Sequence, residues 1–174
     1  SRGLGDVYKR QEGDRILLPK KIGSLYSSWG DVTEVGLRTT RVRSTDGVLM
    51  SVPNKLFTRD VIANFNHKSD KNLRVRIRLG LVPTWENVVK GEKIVTEIAK
   101  NNEDICQNKP KPPQIVLRDF GDQEVIMEIR YYVPNAPLMR STKSYYVKEI
   151  LKQFEEQGVN LAYPTRLIMK EDIE

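Results

Sequence analysis

Arg74, Arg76 and Arg78 stand at every second position of the run Leu73 to Leu79. On an extended chain that spacing puts three guanidinium groups on one face, and such a face can meet phosphates or other anions. It also fits a solvated basic surface or a subunit contact, and this plainer reading carries more weight. Arg38, Arg41 and Arg43 crowd a second strand-like region. Other chemistry is thinly provided for. His67 is the only histidine, so no histidine-based metal site can be assembled, and a thiol–imidazole pair would need it to meet Cys106 across two predicted domains. His67 reads as an exposed linker residue, and Cys106 as a small buried hydrophobe near the end of a helix. Asp119 and Asp122 bracket Phe120-Gly121 and have the chemistry to hold a cation or move a proton, but a turn using Asp for backbone hydrogen bonds explains them better. Neither the GxxxxGK nor the GxGxxG spacing occurs, so no phosphate-cradling loop is expected. The sequence therefore reads as no enzyme, with no cofactor and no metal.

Composition sets the frame for these residues. The chain has 174 residues, of which 39% are apolar and 30% charged, enough for one domain or two small ones with packed cores. A single cysteine excludes an intrachain disulfide framework and any multi-cysteine metal site. The longest apolar run near the start, Ile16-Leu17-Leu18, stops at Pro19, far short of a membrane span, so the chain as given reads as soluble. The net charge of +6 is uneven: residues 1–83 hold 16 basic and 8 acidic side chains, residues 84–174 hold 13 and 15. Two units with different surfaces follow, and the basic half raises an alternative, a module that binds RNA or another polyanion. An RNA-recognition sheet needs exposed rings, however, and here Tyr132 alone supplies one on the matching face, which makes nucleic acid the less favoured partner.

The elements that must position these residues are α+β in class. Residues 1–12 have no apolar periodicity and are set aside as a leader or cloning scar. From 13 to 66 the signals are short strands at Ile16 to Leu18, Val32 to Val35, Leu37 to Arg43 and Val48 to Val52, with no long helix, which predicts a small all-β (Sm-like) barrel. Asp46-Gly47 predicts a hairpin with a type I′ turn, and Pro53-Asn54 ends the strand that follows it. From 72 to 170 the order is strand (Leu73 to Leu79), helix capped by Thr84, strands at Ile115 to Leu117 and Val125 to Val133, a helix, and a last strand at Arg166 to Met169. The second helix is expected to start at Ser141 or Thr142, to bury Val147, Ile150, Leu151 and Phe154, and to end at Gly158. That order is the ferredoxin-like βαββαβ arrangement, with both helices on one face of an antiparallel sheet.

GDRILLP (13–19), GDVTEVGLRTTRVRSTDGVLMSVPNKLF (30–57) and VIANF (61–65) form a recognisable pattern. They resemble the cytoplasmic β-domain of the small-conductance mechanosensitive channel (MscS) family, with its G-x-R-T-T-x-x-R-x-x-D-G stretch and V-P-N turn. The matching positions are Gly36, Arg38, Thr39, Thr40, Arg43, Asp46, Gly47, Val52, Pro53 and Asn54. LRVRIRLGL (73–81), residues 112–133 and FEEQGVNLAYPTRLIM (154–169) resemble the same family's α/β domain, including the closing pair Tyr163-Pro164. The sequence departs from the pattern in a longer polar stretch between Pro19 and Trp29 and in Thr165, where glutamine is usual.

The resemblance implies a full-length membrane protein, a homo-oligomer and typically a heptamer, whose pore helices precede this region and open under membrane tension to release ions and small solutes in osmotic stress. This region would then form a hollow cage on the cytoplasmic side. The motif positions are expected to act as scaffold. Arg74, Arg76 and Arg78 are the candidate solute- or anion-facing residues, because rings of basic side chains multiplied by symmetry favour anions.

Overall fold

Alternation of buried and exposed side chains builds the first strands. The computed structural model describes residues 11–18, 28–59, 62–65 and 72–163, and the chain falls into two compact units, residues 1–71 and 72–174. The expected leader is described only at Gln11 and Glu12, where Asp14 N–H donates to the Gln11 carbonyl at 3.1 Å. His67, Pro164, Thr165, the strand expected at Arg166 to Met169 and most of the 20–28 stretch lie outside the described residues.

In the first unit, β1 (Arg15–Leu17), β2 (Trp29–Val35), β3 (Thr39–Ser44), β4 (Leu49–Pro53) and β5 (Ala63–Asn64) form one antiparallel sheet in the order β4-β3-β2-β1-β5. On β3 the positions Thr40, Val42 and Ser44 are buried while Arg41 and Arg43 face out, the period of two expected of a half-buried strand. Ile16, Val32, Val42, Val52 and Phe57 meet in the core. Phe57 comes from a short helix, α1 (Asn54–Arg59), where the sequence led only to a strand end. Pro53 does close β4, on the edge strand where its missing N–H costs no ladder bond; the chain then turns helical to bury one aromatic ring.

The hairpin at Asp46-Gly47 is present, but its turn is not type I′. Gly47 has φ +83°, whereas no residue other than glycine has positive φ. Thr45, Asp46 and Gly47 instead make a three-residue loop in which a turn is followed by a left-handed glycine. Ser44 organises it: its hydroxyl oxygen accepts from Asp46 N–H at 3.2 Å and from Val48 N–H at 3.1 Å. A serine that satisfies two loop amides favours the longer connection over the tight one.

In the second unit, β6 (Leu73–Leu81), α2 (Trp85–Lys100), β7 (Gln114–Phe120), β8 (Val125–Val133) and α3 (Ala136–Gln157) follow in the expected order, and the sheet is antiparallel in the order β6-β8-β7. Val75, Ile77 and Leu81 of β6 and Val125, Met127, Ile129, Tyr131 and Val133 of β8 share one core with both helices. Beyond α3 the chain returns along the free side of β6: Leu161 bridges Leu81, and Ala162 N–H donates to the Gly80 carbonyl at 2.9 Å. That is the place the fourth strand of a split βαβ sheet takes.

Three expectations for this unit are corrected. The last helix starts at Ala136, capped by the Asn135 side chain, which accepts from Leu138 N–H at 3.2 Å; a proline in the first turn suits that start. Its buried stripe is Thr142, Tyr146, Ile150 and Phe154, with Val147 and Leu151 exposed. The hydroxyls explain the error: Tyr146 donates to the Val95 carbonyl and Tyr131 meets Thr142 at 3.1 Å, so polar residues that find partners belong to the core face. Cys106 lies beyond the end of α2, half-buried, in the loop that follows. Gly158 ends α3 with φ +69°, as its position predicts.

Candidate functional site: an arginine face and a hydrogen-bonded turn

The period of two on β6 that buries Val75 and Ile77 necessarily turns Arg74, Arg76 and Arg78 to the opposite, exposed face. The register sets their neighbours. Arg74 lies across from Tyr132, Arg76 from Arg130, and Arg78 from Glu128. Glu128 is fully buried and collects three arginines: Arg78 Nε at 2.6 Å and an Arg118 Nη at 3.0 Å on one oxygen, Arg130 Nε at 2.5 Å on the other. Arg118 arrives from β7, where the register shifts between Leu117 and Asp119; that bulge places an extra residue opposite β8 and lets its side chain reach the carboxylate. Hydrogen bonds from the three guanidiniums outweigh burial and hold the Glu128 carboxyl down at about 2.

Of the candidate arginines, Arg78 is thus committed to an ion pair, while Arg74 and Arg76 make no ion pair among the described residues. The sequence left Glu128, Arg130 and Arg118 unnamed. Glu128 and Arg130 were within reach, since alternation in β8 puts them opposite Met127 and Ile129, but pairing them with β6 needs the register. The reach of Arg118 depends on a bulge that no pattern marks.

The motif positions of the first unit converge on Asn54. Its amide donates to the carbonyls of Gly36 and Leu37 at 2.9 and 3.0 Å, its side-chain oxygen accepts from the Thr40 hydroxyl at 2.8 Å, and its backbone N–H donates to the Arg38 carbonyl at 2.8 Å. Gly36 N–H donates to the Thr39 carbonyl at 2.9 Å, and a Cβ on Gly36 would stand 2.9 Å from that same oxygen, so the turn admits only glycine without a shift. Arg43 reaches the Gly47 carbonyl at 3.4 Å. Arg38, Thr39, Asp46 and Pro53 are exposed, and Thr40 is buried. Three of these contacts run through the Asn54 side chain, which ties the Gly36–Thr39 turn and Thr40 to the end of β4. Asp119 likewise serves its turn, accepting from Phe120 N–H at 2.9 Å, whereas the burial of Cys106 raises its thiol above the ordinary range.

Two family models match the chain in succession. Residues 11–67 match the one described as mechanosensitive ion channel, beta-domain, and residues 82–161 the one described as mechanosensitive ion channel MscS, C-terminal. The chain belongs to the MscS family.

Among MscS-family relatives, the small-conductance mechanosensitive channel MscMJ of Methanocaldococcus jannaschii is 26% identical over 149 residues, covering 82% of this chain and 40% of the relative. The large-conductance channel MscMJLR of the same organism is 26% identical over 163 residues, covering 88% and 44%. The chain therefore spans less than half the length of these relatives. Among solved structures, Helicobacter pylori MscS in its closed state superposes with a TM-score of 0.74 at 18% identity, over 96% of this chain and 61% of that one. Arabidopsis thaliana MSL1 gives 0.61 at 23% identity, over 92% and 56%. At these identities the likeness is one of fold. No helix among the described residues is long and apolar enough to cross a membrane.

Proposed function

We propose that this chain is the cytoplasmic cage region of a mechanosensitive channel, and that the full-length protein releases ions and small solutes through a pore opened by membrane tension. The observation that carries the reading is the pair of family matches, in order and over both units. In this reading the pore helices come from sequence ahead of this region and sit in the cell membrane. The cage assembles from copies of the chain, seven by analogy with the family pattern. Arg74 and Arg76 then bias the cage interior toward anions, since each side chain is repeated once per subunit.

The test is a patch recording from lipid that holds the full-length protein. Currents that appear with suction are expected. A silent membrane with insertion verified would remove the gating part of the reading, and an open reading frame that starts near Gly13 would remove the pore.

A further inference from the structure

Arg76 faces Arg130 directly across the β6–β8 ladder. Like charges in directly opposed positions oppose strand pairing; Glu128 offsets Arg130, while Arg76 makes no ion pair among the described residues. Of the outward strand positions on β6, β8 and β7, five are arginine (74, 76, 78, 118 and 130) and two are acidic, Glu128 and, toward the far end, the exposed Asp119 opposite Ile126. A third carboxylate, Glu124, lies at that end too, close over Gly80. Five guanidiniums thus stand against three carboxylates, and because Asp119 and Glu124 both lie at the far end, the excess gathers around Arg74, Arg76 and Arg130.

One member of that group, Arg130, is held in place before any ligand arrives. Glu128 takes a single N–H from each of Arg78, Arg118 and Arg130. A guanidinium has five, so each keeps most of its donors for another acceptor. Fixing Arg130 in this way reduces its share of the ordering cost of binding. Phosphate oxygens accept from several guanidinium forks at once, which a single carboxylate does not do as well. Tyr132, half-buried and next to Arg74, adds a ring at the edge of the cluster.

We propose that the Arg74–Arg76–Arg130 end of this face binds a small multivalent phosphate anion, one per chain. The proposal deepens the solute-facing reading of these arginines and rests on it, yet the two fail separately: a silent patch recording leaves the binding site standing, and a failed titration leaves conduction standing.

The experiment is calorimetric titration of the chain with inorganic tripolyphosphate, and in a second arm with adenosine triphosphate, at about 0.15 M salt, where diffuse surface attraction is largely screened. Saturable one-to-one binding is expected in both arms, tighter for the nucleotide if the Tyr132 ring contributes. Arg76→Gln should weaken it by about tenfold or more, Arg76→Lys should lose most of the affinity because the fork is gone, and Arg43→Gln on the other unit should change nothing. Thermal melts show that each variant is folded. Heat no greater than that of sulfate at equal ionic strength, or full affinity in Arg76→Lys, overturns the site. So does a chain whose self-association is abolished by Arg76→Glu while the titration is unchanged, because the face is then a subunit contact.

Discussion

The Thr40 hydroxyl donates to the side-chain oxygen of Asn54 across 2.8 Å, joining β3 to the first residue of α1. Thr40 is fully buried, so no water can replace that acceptor, whereas the Gly36 and Leu37 carbonyls bound by the same amide are at an exposed turn. Asn54→Ala should accordingly cost about 2 kcal/mol, since it removes the bond to Thr40 together with those to Gly36 and Leu37. Urea unfolding followed by the fluorescence of Trp29, which packs on Phe65 at 4.6 Å between ring centroids, reads the first unit. Thr40→Val should cost less in the Asn54→Ala background than alone, since the partner is already lost; additive losses would mean that the two residues are not coupled.

Glu128 is the buried centre of three ion pairs, and its carboxyl is held at about 2, below the ordinary 4.5. As pH falls the unfolded chain takes up this proton first, so the stability Glu128 contributes is complete above about 4.5 and disappears on the way down to about 2. Glu128→Gln should be less stable than the parent at neutral pH, because three guanidiniums then crowd a neutral group, and the gap should close in acid. Urea midpoints against pH, read by circular dichroism, give the comparison; a gap independent of pH would contradict the ion-pair account.

Gly91 lies in the middle of α2 and is buried, with a built Cβ 3.1 Å from Leu81 Cδ1 and 3.6 Å from the Phe154 ring. A methyl group fits if Leu81 yields slightly, and the gain in helix propensity is of similar size, so Gly91→Ala should stay within about 1 kcal/mol of the parent. Gly91→Leu has no room and should cost about 1 to 3 kcal/mol. Loss of the near-ultraviolet signal of the stacked Tyr131–Tyr146 pair, 5.4 Å between centroids, marks unfolding of this unit.

That pair also resists ionisation. Burial pushes the Tyr131 phenol up to about 12 and the Tyr146 phenol further. The unfolded chain releases these protons first as pH rises past the ordinary 10, so stability should fall from there upward. An alkaline absorbance titration should leave two tyrosines un-ionised until the second unit opens, and one in Tyr131→Phe; ionisation of every tyrosine near 10 would show that the pair is accessible.

Much of this was legible in the sequence, for physical reasons. Side-chain period fixes which face of β6 is buried, so the outward turn of Arg74, Arg76 and Arg78 followed from apolar residues at odd positions alone. Gly158 and Gly47 mark places where only a residue without a Cβ takes left-handed φ cheaply, and the chain turns at both. The motif around Gly36 and Asn54 was enough to suggest the family, and the family matches then showed it.

What tertiary structure decided is who stands opposite whom. Periodicity gives the face of a residue but not the register of two strands, so Arg76 against Arg130 and Glu128 beneath three arginines needed the folded sheet. The burial of Tyr146 in place of Val147 had the same origin, because a polar side chain joins a core only when a partner such as the Val95 carbonyl waits there, 51 residues away along the chain. Local sequence sets the direction in which a side chain points, and long-range packing sets what it meets.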